Sequence, residues 1–323
     1  MTKHHFLHAA AAVLLAVSLA GCSKESSPNE LILPDNKLAA ATEAAAVSLN
    51  SWMTGLPDNT SIAGLSIPGT HDSGARFEPV SGTAKCQDLT IAAQLEAGIR
   101  FLDIRCRHIG NAFAIHHGSI YQNLNFNDVL LACSAFLNSH PGECIVMSIK
   151  EEYDATDNTR TFEQTFDSYV QQYSGSWWLG AAIPTLGQVR GKIVLLRRFG
   201  ASATPKGIEA TAWGDNTTFT ITNSNASLRV QDQYVVPDNS GKWNTITTLL
   251  NEARTQNPAV LYLNFTSGYK SLIFGIPSIT TVSNSINPSV TSYFTSNTHG
   301  RFGIIPMDFA NADRASLIVN TNF

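Results

Sequence analysis

Three short stretches contain the histidine, aspartate and arginine side chains that could perform acid–base chemistry. The first is Leu65–Ser73, an apolar run that stops at a Pro-Gly pair and presents His71 and Asp72 just past its end. The others are Arg100–Arg105 and Ala114–Gly118. An imidazole beside a carboxylate, on a loop that leaves a buried strand, is a common layout for a general acid or base. The sequence therefore predicts one site assembled from these stretches.

The elements that must position this site alternate between apolar strands and amphipathic helices. The predicted strands are Ile62–Ile67, Ile99–Arg105, Phe113–His116, Cys144–Lys150, Gly191–Arg198, Ala259–Phe265 and Phe302–Met307, with a further extended segment at Ser227–Tyr234. The predicted helices are Leu89–Ala97, Asn127–Asn138, Thr161–Gln172, Trp243–Gln256 and Val290–Asn297. Strands that are apolar throughout indicate burial on both faces, and hence a mostly parallel sheet covered by helices.

This alternation, with charged residues at the carboxyl ends of the strands, predicts a single-domain α/β protein with an irregular (β/α)8 TIM-type barrel. The irregularities are expected near residues 105–115 and 200–228, where no clear helix pattern is present. An open doubly wound sheet is the alternative. It is less favoured because the sequence has no Gly-rich turn between a strand and a helix.

The composition limits the function further. The chain has 323 residues, of which 43% are apolar and 14% charged, so it can bury a large core. Its net charge of −4 argues against nucleic acid as the main partner, because binding to a phosphate backbone needs a basic face. A local basic pocket for one phosphate remains compatible with this charge, and a monomer is expected.

The N-terminus has the pattern of an export signal. Lys3 precedes the apolar run Ala9–Ala20, which is too short to span a bilayer. The signal ends in Leu19–Cys22 (Leu-Ala-Gly-Cys). This tetrad resembles the lipobox of bacterial lipoproteins, with Cys22 as the lipidated residue. A plain secretory signal with an incidental cysteine is the alternative. We therefore expect a signal peptide at 1–21, a lipidated tether and lead-in at 22–54, a catalytic barrel at 55–323, and an exported protein anchored to the cell envelope or released.

Four cysteines remain after the signal peptide, and an even number in an exported protein suggests disulfides. We expect the pairs Cys133–Cys144 and Cys86–Cys106, with free buried thiols as the alternative. No CxxC or other Cys/His spacing typical of zinc sites is present, so the sequence does not predict a zinc site.

Seven blocks of sequence together resemble the bacterial phosphatidylinositol-specific phospholipases C. They are Ser66–Ala75 (SIPGTHDSGA), Phe101–Arg107 (FLDIRCR), His116–Gly118, Met147–Tyr153 (MSIKEEY), Gly191–Arg198 (GKIVLLRR), Val230–Tyr234 (VQDQY) and Leu261–Ser267 (LYLNFTS). They occur in the order of the family and cover about residues 55–323. The resemblance implies an irregular TIM-type barrel, in agreement with the pattern of elements.

The resemblance also implies a lyase reaction that cleaves phosphatidylinositol, and possible cleavage of glycosylphosphatidylinositol anchors through the same linkage, into diacylglycerol and 1,2-cyclic inositol phosphate. It implies that His71 is the general base with Asp308 as its partner, and that His117 is the general acid. Asp72 is the implied partner of His117. Arg105 would bind the phosphate.

Further roles follow from the same resemblance. Asp103 and Arg105 alternate along one strand, so both side chains lie on the same face and Asp103 is expected beside the guanidinium. By resemblance, Lys150, Arg198 and Asp232 bind the inositol hydroxyls, Tyr234 stacks on the ring, and Glu152 holds the cations in place.

No metal or other cofactor is expected. Calcium-dependent relatives have carboxylates at the position of Arg105, and a guanidinium would repel the cation. A metal-dependent enzyme acting on glycerophosphodiesters is one alternative function. A non-catalytic module that binds phosphoinositides or inositol is the other, although binding alone requires no acid–base pair.

The bilayer surface is the second expected partner. Family members carry a short apolar helix after the first histidine, whereas residues 77–87 contain no Trp and that element looks reduced. The segment Gly268–Pro277 instead offers Leu272, Ile273 and Phe274 for insertion into the membrane interface. An apolar loop that covers the end of the barrel is the alternative.

Overall fold

A curved, mostly parallel sheet forms the framework of the protein. The computed structural model describes residues 47–323. Its strands are β1 (Ser66–Thr70), β2 (Phe101–Ile109), β3 (Ala112–His117), β4 (Ile120–Asn125), β5 (Ile145–Glu151), β6 (Trp177–Trp178), β7 (Ile193–Arg197), β8 (Ile208–Glu209), β9 (Thr218–Thr222), β10 (Ser227–Gln231), β11 (Leu261–Asn264), β12 (Lys270–Ser271), β13 (Pro277–Ser278) and β14 (Gly303–Met307). The main sheet has the order β6-β7-β5-β2-β1-β14-β11-β10-β9, and β8 also pairs with β7.

Helices cover the outside of this sheet. They are α1 (Ile91–Glu96), α2 (Phe126–Ser139), α3 (Phe162–Gln172), α4 (Leu186–Val189), α5 (Asn239–Thr255), α6 (Ile279–Ser296) and α7 (Ala312–Asn320), with 3-10 turns at Leu49–Gly55, Ile62–Gly64 and Ile273–Gly275. Over the described part of the chain, no helix is both long and apolar enough to cross a bilayer.

The predicted irregular TIM-type barrel is confirmed, and its irregularities lie where the sequence lacks helix patterns. The antiparallel strands β3 and β4 follow β2, and no helix is present between β7 and β10. Within residues 47–323, no ladder of hydrogen bonds joins β9 to β6 or β8, so the barrel is open at this seam.

Side chains along the strands alternate between the interior of the barrel and the layer under the helices. In β2, Phe101 packs in the interior cluster, whereas Leu102 and Ile104 pack in the outer cluster. Because the side-chain period of a strand is two residues, Asp103 and Arg105 share the inward face with Phe101. The inward face of β2 therefore changes from apolar to charged toward its carboxyl end.

The neighbouring strands show the same gradient. In β5 the inward positions are Val146, Ser148 and Lys150, and β7 places Val194 and Leu196 inward before Arg198 follows it. The apolar layer fills the amino end of the barrel. The charged layer lies at the carboxyl end, where TIM-type enzymes have their active sites.

A buried ion pair closes the amino end. The carboxylate of Glu143 accepts hydrogen bonds from Arg100 Nε (3.0 Å) and from the backbone N–H groups of Met53 (3.1 Å) and Thr54 (2.8 Å). Both charged side chains are fully buried. The pair thereby attaches the 3-10 turn Leu49–Gly55 to the amino end of the barrel.

The predicted disulfides are wrong, because all four cysteines of the described chain are free and buried. Cys133 packs in the outer cluster and Cys144 in the interior cluster, so the sheet separates them. Cys106 also lies in the outer cluster, whereas Cys86 belongs to a separate small cluster with Ala75 and Ile279. The signal peptide and Cys22 lie outside the described residues.

Several element boundaries differ from the predicted ones. Residues 62–64 form a 3-10 turn, and the first strand begins at Ser66. Helix α6 begins eleven residues before the predicted start at Val290 and continues through Pro288. Its apolar side chains recur every three or four residues and are buried, so tertiary packing outweighs the local penalty of the proline. Helix α7 and strand β9 were not predicted.

Candidate active site

The register of two central strands brings together His71 and Asp308, which are 237 residues apart in the sequence. Strands β1 and β14 pair in parallel with Thr70 opposite Met307, so the next residue of each strand lies at the same edge. His71 Nδ1 is 2.8 Å from Asp308 Oδ1. Asp308 Oδ2 accepts a hydrogen bond from the backbone N–H of Gly268 (3.2 Å), which holds the carboxylate in position.

A second histidine–aspartate pair lies nearby. His117, the last residue of β3, has Nδ1 2.7 Å from Oδ2 of Asp72. Asp72 is fully buried and has a φ of 38°, an uncommon conformation for a residue with a side chain. Its backbone N–H donates to Asp103 Oδ2 (3.2 Å), and this bond supports the unusual turn. Adjacent residues in the sequence thus serve two different pairs.

The guanidinium of Arg105 lies between the two pairs. Its Nε is 3.2 Å from Asp103 Oδ2 and 3.9 Å from Asp72 Oδ2, and its Nη1 is 3.9 Å from Glu152 Oε1. Burial alone would lower the pKa of Arg105, but Asp103 and Asp72 raise it well above its ordinary value. The arginine therefore remains charged at the centre of the site.

Arg105 also determines which tautomer of His71 is present. Its Nη2 is 2.8 Å from His71 Nε2, and a guanidinium can only donate hydrogen bonds. The neutral imidazole must therefore accept at Nε2 and donate Nδ1–H to Asp308. Burial and Arg105 lower the pKa of His71, but the carboxylates of Asp308 and, to a smaller extent, Asp103 outweigh them, so the pKa lies above its ordinary value.

Buried carboxylates hold the other cations of the site. Lys150 Nζ is 2.7 Å from Glu152 Oε2, and Arg198 Nη1 is 3.5 Å from Asp103 Oδ1. Burial would raise the pKa of Glu152, but Arg105 and Lys150 hold it at about 2. Likewise, burial would raise the pKa of Asp103, but the two arginines keep it far below its ordinary value. Both carboxylates are therefore ionised.

An aromatic residue that was not predicted from the sequence links two of the predicted ones. The Arg198 guanidinium lies 3.7 Å from the ring centroid of Trp213. The indole Nε1–H of Trp213 donates to Asp232 Oδ2 at 2.9 Å. Trp213 thus fixes a cation and an acceptor relative to each other. It lies in the segment without helix or strand periodicity, and only a Trp-Gly-Asp sequence there signals a polar site.

Tyr234 forms a second polar contact with the same segment. Its hydroxyl donates to Asp215 Oδ1 at 2.6 Å, and this bond raises the pKa of Tyr234 to about 12. The ring of Tyr269, which was also not predicted, lies 6.2 Å from that of Tyr234 at an interplanar angle of 31°. Two phenol rings therefore border one side of the site.

The predicted residues surround one cavity of about 530 Å³ at the carboxyl end of the barrel. Eight of them line it directly, namely His71, Arg105, His117, Lys150, Glu152, Arg198, Asp232 and Tyr234. Asp72, Asp103 and Asp308 are buried behind the lining and orient it. The volume is that of a pocket for one small polar molecule, and the lining offers cations, acceptors and two imidazoles.

The predicted membrane residues lie at the mouth of this cavity. They belong to the turn between β12 and β13, where Gly275 of the turn and Pro277, the first residue of β13, line the cavity. Leu272, Ile273 and Phe274 themselves point away from the protein, with Phe274 95% exposed.

Comparisons with known proteins give one consistent result. A family model described as "Phosphatidylinositol-specific phospholipase C, X domain" matches residues 76–199. A "1-phosphatidylinositol phosphodiesterase" from Staphylococcus aureus (strain Newman) is 34% identical over 288 residues, covering 84% of this chain and 92% of the relative. The protein of the same description from Listeria monocytogenes is 30% identical over 288 residues, covering 85% and 86%.

Solved structures agree with these sequence matches. A crystal structure of phosphatidylinositol-specific phospholipase C from Staphylococcus aureus superimposes with a TM-score of 0.78 at 33% identity, covering 86% of this chain and 99% of that one. The structure of the Listeria monocytogenes enzyme gives a TM-score of 0.72 at 29% identity, with 86% and 100% coverage. The chain therefore belongs to the family of bacterial phosphatidylinositol-specific phospholipases C.

Proposed function

We propose that the protein cleaves phosphatidylinositol to diacylglycerol and 1,2-cyclic inositol phosphate, by general acid–base catalysis with two histidines. The single observation that carries this proposal is the position of Arg105 between two His–Asp pairs in one cavity. Such a cleavage needs a base, an acid and a positive charge where the negative charge of the transition state develops. The relatives from Staphylococcus aureus and Listeria monocytogenes are described as "1-phosphatidylinositol phosphodiesterase", which supports phosphatidylinositol as the substrate.

In the first step, His71 is the base and His117 the acid. His71 Nε2 takes the proton of the inositol 2-hydroxyl, and the resulting oxygen attacks the phosphorus. The bond from phosphorus to the glycerol oxygen breaks, and His117 donates a proton to that oxygen. Asp308 and Asp72 accept Nδ1–H from their histidines and stabilise each ring when it is protonated. The nucleophile belongs to the substrate, so no serine or cysteine nucleophile is required.

Arg105 stabilises the charge on the phosphate oxygens. Its planar group of N–H donors suits phosphate geometry, and Asp103 orients it from behind. Water opens the cyclic product when the roles of the two histidines are exchanged.

Recognition of the inositol ring is assigned to the other side of the cavity. The ring presents only hydroxyls, which suit the charged groups of Lys150, Arg198 and Asp232, while Tyr234 supplies a flat face. Glu152 lies beside both Lys150 and Arg105 and holds these cations in place. Glycosylphosphatidylinositol anchors share the inositol–phosphate–glycerol linkage and are a second proposed substrate class.

The reaction is proposed to need no metal ion. The three carboxylates nearest the phosphate site, Asp72, Asp103 and Glu152, all lie within 4.0 Å of the Arg105 guanidinium. Lys150 also pairs with Glu152 and Arg198 with Asp103, so these carboxylates already face three fixed cations, which would repel calcium.

The experiment is phosphorus NMR of the purified full chain with phosphatidylinositol micelles and excess chelator. We expect a 1,2-cyclic inositol phosphate signal. His71→Ala and His117→Ala should abolish it, whereas His299→Ala, a variant of an exposed histidine outside the cavity, should not. Product that appears only with added calcium would favour the metal-dependent alternative. No product under either condition would favour a non-catalytic inositol-binding module.

The location of the enzyme is also a proposal. We propose that the chain is exported, lipidated at Cys22, and active as a monomer at a membrane surface. A structure of the Staphylococcus aureus relative concerns the modulation of its membrane binding. Incorporation of a labelled fatty acid that is lost in Cys22→Ala tests the anchor. Light scattering of the unlipidated protein tests the monomer.

A further inference from the structure

A buried thiol lies next to both histidine–aspartate pairs and has no part in the proposed reaction. Cys86 Sγ is 3.7 Å from His117 Nδ1. This sulfur, a nitrogen of His117 and a carboxylate oxygen of Asp72 all lie within 4.8 Å of one another. Cys86 forms a similar set with His71 and Asp308. Thiolate, imidazole and carboxylate together are the ligands that proteins use for zinc.

The distances in the first set are close to those around a tetrahedral zinc ion. Bonds of about 2.3 Å to sulfur and about 2.1 Å to nitrogen would separate Cys86 Sγ and His117 Nδ1 by about 3.6 Å. The observed separation is 3.7 Å. The 2.7 Å contact from His117 Nδ1 to Asp72 Oδ2 would have to open by less than an ångström.

We propose that Cys86, His117 and Asp72 bind a soft divalent cation such as Zn²⁺, and that the bound ion reversibly inhibits the enzyme. The Cys86 thiol loses its proton to solvent and the thiolate binds the ion. The imidazole binds through Nδ1 with its remaining proton on Nε2, the carboxylate is a third ligand, and water from the cavity completes the coordination. Each bound ion releases the thiol proton, and a second proton when the His117 ring was doubly protonated, so its apparent affinity rises with pH.

Charge and access favour this set over the one that contains His71. Both ring nitrogens of His71 are already engaged, by Asp308 and by Arg105. The side chain of His117 is 25% exposed and lines the cavity, so this set has one ligand at the cavity wall, whereas the side chain of His71 is 10% exposed. Within the described chain, the second oxygen of Asp72, Oδ1, is buried and has no hydrogen-bond partner.

Selectivity follows from the same chemistry. Arg105 Nε is 3.9 Å from Asp72 Oδ2 and opposes any cation bound there. For Zn²⁺, the strong bond to the thiolate compensates for the repulsion by Arg105. Ca²⁺ and Mg²⁺ prefer oxygen ligands, so the sulfur adds little to their binding free energy. Burial and the charges of Asp308 and Asp72 raise the pKa of Cys86 well above its ordinary value, so without a metal the thiol stays protonated.

The inhibition itself rests on the proposed function. As the general acid of that reaction, the His117 ring must carry a proton on both of its nitrogens. A ring with Nδ1 bound to zinc cannot take this form, and it also loses its bond to Asp72.

The first test measures binding without activity. The full chain, freed of metal by a chelator and dialysed, is titrated with Co²⁺, whose complexes with thiolates absorb in the near ultraviolet. We expect one such band per chain, displaced by Zn²⁺ and absent in Cys86→Ser and Cys86→Ala. The matched control Cys133→Ala removes a buried thiol from α2 and should keep the band. No thiolate band in the wild type, or an equal band in Cys86→Ser, would overturn the proposal.

The second test measures inhibition, with each variant compared with its own activity in chelator. Zn²⁺ should inhibit the wild type and Cys133→Ala, and chelator should reverse the effect. Cys86→Ser should need at least about tenfold more Zn²⁺, because loss of even an outer contact of a metal site costs that much. Ca²⁺ and Mg²⁺ should not inhibit. Equal Zn²⁺ sensitivity in Cys86→Ser would contradict the proposal, whatever substrate the enzyme uses.

Discussion

Two exposed apolar side chains at the mouth of the cavity should determine how tightly the enzyme binds a membrane. The test is the double variant Ile273→Ser/Phe274→Asn. Phe274 has a φ of 63°, and asparagine tolerates this conformation better than most residues, so the turn should keep its shape. Neither side chain lies within a buried cluster, so the fold should not depend on them.

The size of the effect follows from the exposed area. Ile273 is 78% exposed and Phe274 is 95% exposed, so nearly the whole of both side chains is available to the lipid. Complete transfer of such a pair out of water is worth about 3–5 kcal/mol. If only half of that area enters the interface, the loss is about 2 kcal/mol, or about a 30-fold weaker partition coefficient.

Sedimentation with phosphatidylcholine vesicles measures binding, and a water-soluble inositol phosphodiester measures the chemistry. We expect binding and activity on vesicles to fall together, while activity on the soluble substrate stays within about twofold. Leu131→Ser, on helix α2 away from the cavity, is the matched control because Leu131 is 53% exposed. Unchanged vesicle binding in the double variant would refute the assignment, and equal losses on both substrates would indicate misfolding.

Three further predictions concern the interior. In Asp308→Asn, burial and the nearby guanidinium still lower the pKa of His71, but the carboxylate that contributes most to raising it is gone. The base works unprotonated, so the acidic limb of the pH–rate profile should move to lower pH and kcat should fall about 10²–10⁴-fold; an unmoved limb would contradict this. Trp213→Phe keeps an aromatic ring but removes the donor to Asp232, so KM in steady-state kinetics should rise about tenfold with little change in kcat. Glu143→Gln breaks a buried ion pair and should destabilise the protein by about 3–5 kcal/mol in urea unfolding, while the activity of the folded molecules persists.

The buried parallel strands could largely be predicted from the sequence, because such a strand requires an uninterrupted apolar run. Cys144–Lys150 is such a run and forms β5 within one residue of the predicted bounds. The alternation within Phe101–Arg105 likewise placed Asp103 beside Arg105, since residues two apart in a strand share a face. The bounds of β5 and the contact between Asp103 and Arg105 both follow from patterns within a few consecutive residues.

Long-range pairing could not be predicted in this way. The contact between His71 and Asp308 depends on the register of β1 and β14, which no local pattern specifies. It was expected only from the resemblance of the sequence to a family. Trp213 was missed because its segment has no periodicity. The disulfides were mispredicted because a count of cysteines does not show on which side of a sheet each one lies.

The bond between the central guanidinium and the ring nitrogen of His71 has a consequence for the resting enzyme. This nitrogen, Nε2, cannot take a proton from a substrate hydroxyl while its lone pair accepts a hydrogen bond from the arginine. When a substrate binds, its phosphate would attract the Arg105 guanidinium away from His71. His71 Nε2 would then be free to accept the proton of the inositol hydroxyl. Free inositol lacks a phosphate and would leave His71 Nε2 bonded to Arg105. The phosphate of the substrate would thus activate His71 as a base. Arg105, which binds this phosphate, is the same residue that occupies the base before the substrate arrives.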